Sequence, residues 1–147
     1  MSIPVVLDLP VPLTVTERLR GMAAVAAASV ILTATRARPA RIRAVLRLLN
    51  TGAVPAPLAF AQRCRAIVTT VSLRAASDHG CLSRSLAVLL ACRLSGRTVT
   101  WRVGVLSPPP SSHAWVEADD TPVGERFDPR LLYSPIITVR PAERITQ

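Results

Sequence analysis

The spacing of apolar residues changes once along these 147 residues, and that change fixes the class of fold. From Thr14 to about Ala76 the apolar positions recur at helical intervals, whereas after the segment that begins at Cys81 they alternate as in strands. Helices first and short strands afterwards describe one α+β domain over residues 1–147. Its helical part covers about 14–76, and a helix with a small antiparallel sheet covers about 77–139.

Local signals set the boundaries. Ile3 to Leu13 contains Pro4, Pro10 and Pro12, which cannot sit in a central ladder, so this stretch reads as an edge strand or extended arm. Thr14-Val15-Thr16-Glu17 has capping-box spacing and opens a helix to about Thr35, almost wholly apolar in its second half. Pro39 opens a second helix with Ile42, Val45, Leu46 and Leu49 on one face and Arg43 and Arg47 opposite, stopped by Asn50-Thr51-Gly52. After Pro55-Ala56-Pro57 a third carries Phe60, Cys64, Ile67, Val68 and Val71 on one stripe and ends near Ala76. Cys81 to Leu94 is a further helix, with Leu82, Leu86, Leu89 and Leu90 apolar and Gly96 closing it. Strands are predicted over Thr98–Leu106, from His113 to Glu117, over Val123–Asp128 and over Tyr133–Val139. A proline loop at 108–112 and a turn at Asp119-Asp120-Thr121-Pro122 separate them.

Composition excludes several classes. Apolar residues make up 50%, enough for a core, but aromatics only 3%, which leaves little stacking surface for single-stranded nucleic acid. The net charge of +9 comes entirely from arginine. Arg36, Arg38, Arg41, Arg43 and Arg47 lie close together and suit a docking face for an acidic partner. The apolar, uncharged run Gly21 to Thr35 is short of the ~20 residues a membrane span needs, and it does not read as a signal peptide. Cys64, Cys81 and Cys92 form no CxxC pair and leave one over, which suits a reducing cytoplasm.

The chemistry centres on Cys81. A thiol attacks only as thiolate, and a helix amino terminus favours that form through its unpaired N–H groups and dipole. Gly80 leaves open a place where a substrate backbone would approach, and Asp78 or Ser77 can cap the same helix. Cys64 and Cys92 read as small core residues. In cysteine proteases built as a helix followed by a sheet, the general base is a histidine far downstream on a strand, and His113 stands 32 residues after Cys81. His79 is too close in sequence to point at the same thiol. Cys81, His79 and His113 lack structural-zinc spacing, so neither metal nor cofactor is expected.

Gly80-Cys81-Leu82-Ser83-Arg84-Ser85, Trp101-Arg102-Val103-Gly104-Val105, His113-Ala114-Trp115-Val116-Glu117 and Pro122-Val123-Gly124-Glu125, with the closing Pro135-Ile136-Ile137-Thr138-Val139, carry a family resemblance. Over about residues 60 to 139 this ordered set resembles the transglutaminase-like cysteine peptidase of lasso-peptide biosynthesis, the B protein. The resemblance implies a papain-like core whose thiolate cuts between leader and core of a ribosomal precursor peptide. It also implies a separate ATP-dependent cyclase acting next. The chain resembles the stand-alone form, which works with a separate leader-recognition protein. The helix-start N–H of Cys81 suits an oxyanion donor.

For the third catalytic member Glu125 and Asp128 compete. The family pattern puts an acid twelve residues after the histidine, which lands on Glu125, while Asp128 in Phe127-Asp128-Pro129 resembles the aspartate of classical transglutaminases. An odd turn around Asp119 sets Glu125 opposite His113; an even turn sets Arg126 there and makes Asp128 the diagonal neighbour. The reading adopted is Cys81, His113 and Glu125. Two other functions fit the residues: a basic non-catalytic adaptor for an acidic partner or nucleic acid, and acyl transfer to an amine by the same Cys-His pair.

Overall fold

The computed structural model describes residues 8–108 and 110–142. Most of the arm expected over Ile3–Leu13 lies outside them, and its described part, 8–13, is neither helix nor strand.

Helix α1 runs Val15–Thr35 behind the expected capping box: the Thr14 hydroxyl accepts from the Glu17 N–H at 3.1 Å, and the Glu17 carboxylate accepts from the Thr14 N–H at 3.0 Å. Its inner face is made of small residues, Gly21, Ala24 and Ala28, which let it pack closely on the helices beneath. A Cβ on Gly21 would come within 2.7 Å of the Ile67 side chain. Leu19, Met22 and Val30 on its other side are exposed. By length and composition α1 is long and apolar enough to cross a membrane, at 21 residues, because it extends past the uncharged run to include Arg18 and Arg20.

Helix α2, Pro39–Leu49, buries Ile42 and Leu46 as its spacing predicts. Helix α3, Leu58–Val71, stops earlier than expected, because Ser72 leaves the helix and caps a separate short α4, Leu73–Ala76, through its hydroxyl. Ahead of α3 lies a parallel pairing that the prolines concealed, β1 (Val54–Pro55) beside β2 (Arg97–Thr98).

Helix α5, Cys81–Arg93, lies at the centre. Every residue from Ser85 to Cys92 is buried, with α1 and α3 packed on it and the sheet against it. That sheet has four strands in the order β5-β4-β3-β6, all antiparallel: β3 Thr100–Leu106, β4 Ser111–Ala118, β5 Thr121–Pro122 and β6 Ser134–Val139. Alternation along β4 sends Ala114, Val116 and Ala118 into the core and puts His113, Trp115 and Glu117 on the other face. A helical first half and a small antiparallel sheet after it agree with the α+β reading.

One strand differs. Val123–Asp128 was expected to return as the third strand, but β5 is only Thr121–Pro122. Asp119 and Asp120 both have positive φ, 49° and 56°, as a tight two-residue hairpin turn requires. The ladder pairs Ala118 with Thr121 and Glu117 with Pro122, and Gly124 at φ 66° then bends the chain away from the sheet.

The buried indole of Trp101 on β3 donates to the Ser85 hydroxyl of α5 at 3.0 Å. Ser85→Ala would leave that N–H unpaired in the core, so urea denaturation should show a loss of about 1–3 kcal/mol. An unchanged midpoint would mean that this bond does not fasten helix to sheet.

Candidate active site

The site is built where the amino terminus of α5 meets the start of β4. Approaching Cys81, the chain makes α4 and a 3-10 turn at Asp78–Gly80, folded back so tightly that a Cβ on Gly80 would lie 1.9 Å from the Arg74 carbonyl oxygen. The space opened by Gly80 is therefore filled by α4, not by substrate as the sequence suggested. Arg84 holds the same fold-back, donating to the carbonyls of Ala75 and Ser77 at 2.9 and 3.0 Å. The Ser77 hydroxyl donates to the Arg74 carbonyl. Neither Ser77 nor Asp78 caps α5: its N-cap is Gly80, which has no side chain for the purpose. The first-turn N–H groups thus carry no side-chain cap, and Cys81 stands among them, partly exposed.

Two opposed effects act on the thiol. Burial pushes its pKa up, but a hydrogen bond with His113, another with the backbone of Ala114, and the positive charges of His113 and Arg84 together bring it below the usual thiol range. The imidazole responds in kind. Burial pulls it down, yet the hydrogen bonds and negative charges of Cys81 and Glu125 raise it to about 9. Both shifts favour the thiolate–imidazolium form of the pair.

Glu125 completes the row, with Oε2 3.0 Å from His113 Nε2. With Nε2–H given to the carboxylate, Nδ1 is the ring atom left for the thiol. The Asp119-Asp120 turn is even, the case in which a continued strand would have set Arg126 opposite His113. No strand continues there, so the bend at Gly124 carries Glu125 to the imidazole instead. Asp128 is elsewhere occupied: it caps the 3-10 turn Pro129–Leu131 and pairs with Arg130 at 2.7 Å.

The imidazole is also held by aromatic rings. Trp115 stacks at 5.9 Å between centroids and 16° between planes, and Tyr133 lies at 5.4 Å. The Trp115 indole donates to buried Glu117 at 3.0 Å, and Glu117 lies 3.0 Å from Arg102 Nε. Gly104, cross-strand partner of His113, makes room, since a Cβ there would lie 2.8 Å from Tyr133 Cβ and 3.0 Å from the Trp115 ring. The sequence reading missed this cage, although a glycine inside a strand next to a proposed catalytic histidine signals close approach.

The other thiols and the other histidine stand apart. Cys64 and Cys92 are buried and hydrogen-bonded to each other, and that bond together with burial drives the Cys92 pKa up and keeps it a thiol. His79 is exposed. Among the described residues no three His, Cys, Asp or Glu side chains come together as a metal set.

A family model described as the transglutaminase-like superfamily matches residues 23–138, a stretch that contains Cys81, His113 and Glu125. No curated protein and no solved structure matches the chain.

The electrostatics give a direct test. Alkylation of Cys81 by iodoacetamide should rise with pH about a midpoint below that of an ordinary thiol. His113→Ala should shift that midpoint upward, because burial then acts on the thiol with less to oppose it. A midpoint that His113→Ala leaves in place would show that the imidazole does not stabilise the thiolate.

Proposed function

The chain belongs to the transglutaminase-like superfamily, which includes cysteine peptidases and transglutaminases, and on that footing we propose that it is a cysteine peptidase. In this reading it removes the leader from a lasso-peptide precursor in the cytoplasm. A separate protein recognises the leader, and an ATP-dependent cyclase closes the released core. The observation that carries the catalytic part is the row Cys81, His113, Glu125 at the uncapped start of α5. The precursor and partners rest on the resemblance of the residues around Cys81, Trp101 and His113 to the lasso B protein.

The proposed steps follow from the charges. The Cys81 thiolate attacks the scissile carbonyl, and the Cys81 backbone N–H, at the helix start, is positioned to receive the developing oxyanion. The His113 imidazolium gives its proton to the leaving nitrogen, and a thioester remains. Neutral His113 then takes a proton from water, which attacks the thioester. The acid departs, and thiolate and imidazolium are restored. Glu125 keeps the ring oriented with Nε2–H toward itself and stabilises its charged form.

Signs of the pH dependence can be read from the two shifts. The acid that protonates the leaving nitrogen is lost as pH rises through about 9, and the nucleophile is lost as pH falls through the lowered thiol pKa. Hence kcat/KM should be bell-shaped, with its alkaline limb near 9, and Glu125→Gln should move that limb downward because a raising partner is gone. Incubation with precursor and recognition protein, followed by mass spectrometry, should show leader loss. Cys81→Ala and His113→Ala should abolish it with the fold intact, and Glu125→Gln should lower it by orders of magnitude. Asp128→Asn should be mild. Loss of activity in Asp128→Asn with Glu125→Gln active would transfer the orienting role, and a crosslinked product in place of hydrolysis would make the protein an acyl transferase.

A further inference from the structure

Beside the imidazole lies a cavity of about 240 Å³ into which both His113 and Glu125 open. Its lining divides chemically. One part is polar: Arg65, paired with Asp8 at 2.9 Å, Arg84, engaged with the carbonyls before Cys81, and Asp78 and Arg126. The other part is apolar: Phe127, Leu132 and Tyr133.

The apolar part is unusual in how it is held. Phe127 is 75% exposed and Leu132 52%, and Leu131 between them is 84% exposed. Their loop does not keep its shape by burying them. Asp128 caps its 3-10 turn, Arg130 forks onto Asp128 and donates to the Asp120 carbonyl at 2.8 Å, and the Tyr133 N–H donates to the Pro129 carbonyl at 2.8 Å. Polar contacts fix the backbone, and the large apolar side chains are left facing water at the edge of the catalytic pair. Such a fixed apolar wall, continuous with a reactive centre, has the form of a binding subsite.

We propose that Phe127, Leu132 and Tyr133 form a subsite for a large apolar side chain of the substrate peptide. The cavity reaches the imidazole on its Glu125 side, so a substrate side chain seated there lies beside the catalytic row. This rests on the peptidase reading above, and it adds what that reading lacks, a determinant of substrate choice. Arg65 and Arg84 already hold carboxylate or carbonyl partners and form part of the cavity's polar border.

Binding of product-like peptides to the 15N-labelled protein, followed by NMR, tests the subsite without requiring turnover. The probes are Leu-Gly-Gly amide, Gly-Leu-Gly amide and Gly-Gly-Gly amide. At least one leucine peptide should half-saturate at about a tenfold lower concentration than triglycine amide, a difference of roughly 1.4 kcal/mol. The shifts should gather at His113, Phe127, Leu132 and Tyr133. Phe127→Ser combined with Leu132→Ser should erase the preference, and since both side chains are exposed the Trp115 indole resonance should stay in place. Equal binding of all three peptides, a preference that survives the double substitution, or shifts gathered elsewhere would overturn the proposal. Precursor cleavage with no leucine preference would sink the subsite alone. Leucine preference with no cleavage of any precursor would sink the peptidase reading and leave an apolar peptide site.

Discussion

The burial of α5 on all sides governs both the fold and the chemistry of this protein. A helix enclosed from Ser85 to Cys92 has no face to give to water, so any polar group along it must find a partner inside. Ser85 does, through its own helix and through the Trp101 indole. The end at Cys81 is where the helix meets solvent, and there the N–H groups of the first turn stand without a side-chain cap. The same packing that makes α5 the core therefore leaves its positive end open, and Cys81 sets a thiol at that opening. Gly80 and Arg84 maintain the geometry, one by allowing α4 to close against the turn and the other by binding two of its carbonyls.

At the opening, burial and charge are set against each other. Burial disfavours a thiolate and an imidazolium taken singly, and each is stabilised by the presence of the other. Glu125 adds a second negative neighbour to His113, which is why the imidazole is raised although it is largely shielded from water. The row thus works as a unit of three, in which the carboxylate favours the ring's charged form and the charged ring favours the thiolate. The net charge of +9 contributes to this locally through Arg84.

Helices with a clear apolar stripe and a capping signal were legible in the sequence: the Thr14 box, the Ile42 and Leu46 face, and the start of α5 at Cys81 all come from local rules. Features set by tertiary approach were not. Ser72 divides α3 from α4, and β1 pairs with β2, Val54 beside Arg97, despite its proline. Gly80 was read as making room for substrate when it makes room for backbone. Glu125 shows the distinction best. The register argument assumed that the strand after the turn would run to Asp128, and for the even turn that occurs it pointed away from Glu125. Resemblance to a known motif named the residue that meets His113, while the reason it meets His113 lies in a positive φ at Gly124 that no pairing rule anticipates.

The few aromatic residues show where shape is most tightly specified. The chain has five, two Trp, two Phe and one Tyr. Trp101 ties the sheet to α5, and the Phe60 ring lies under Arg97. The other three, Trp115, Phe127 and Tyr133, stand in contact with His113 or line its cavity. Leu, Val, Ile and Ala fill the remaining core, which branched aliphatic side chains can pack without rings. An imidazole that must present Nδ1 to a thiol while Nε2 binds a carboxylate needs its plane fixed as well as its position, and flat rings at 5.4 and 5.9 Å supply that restraint where aliphatic side chains would not. Gly104 is the counterpart of the same requirement, because a side chain there would occupy the space that Trp115 and Tyr133 need to reach the ring.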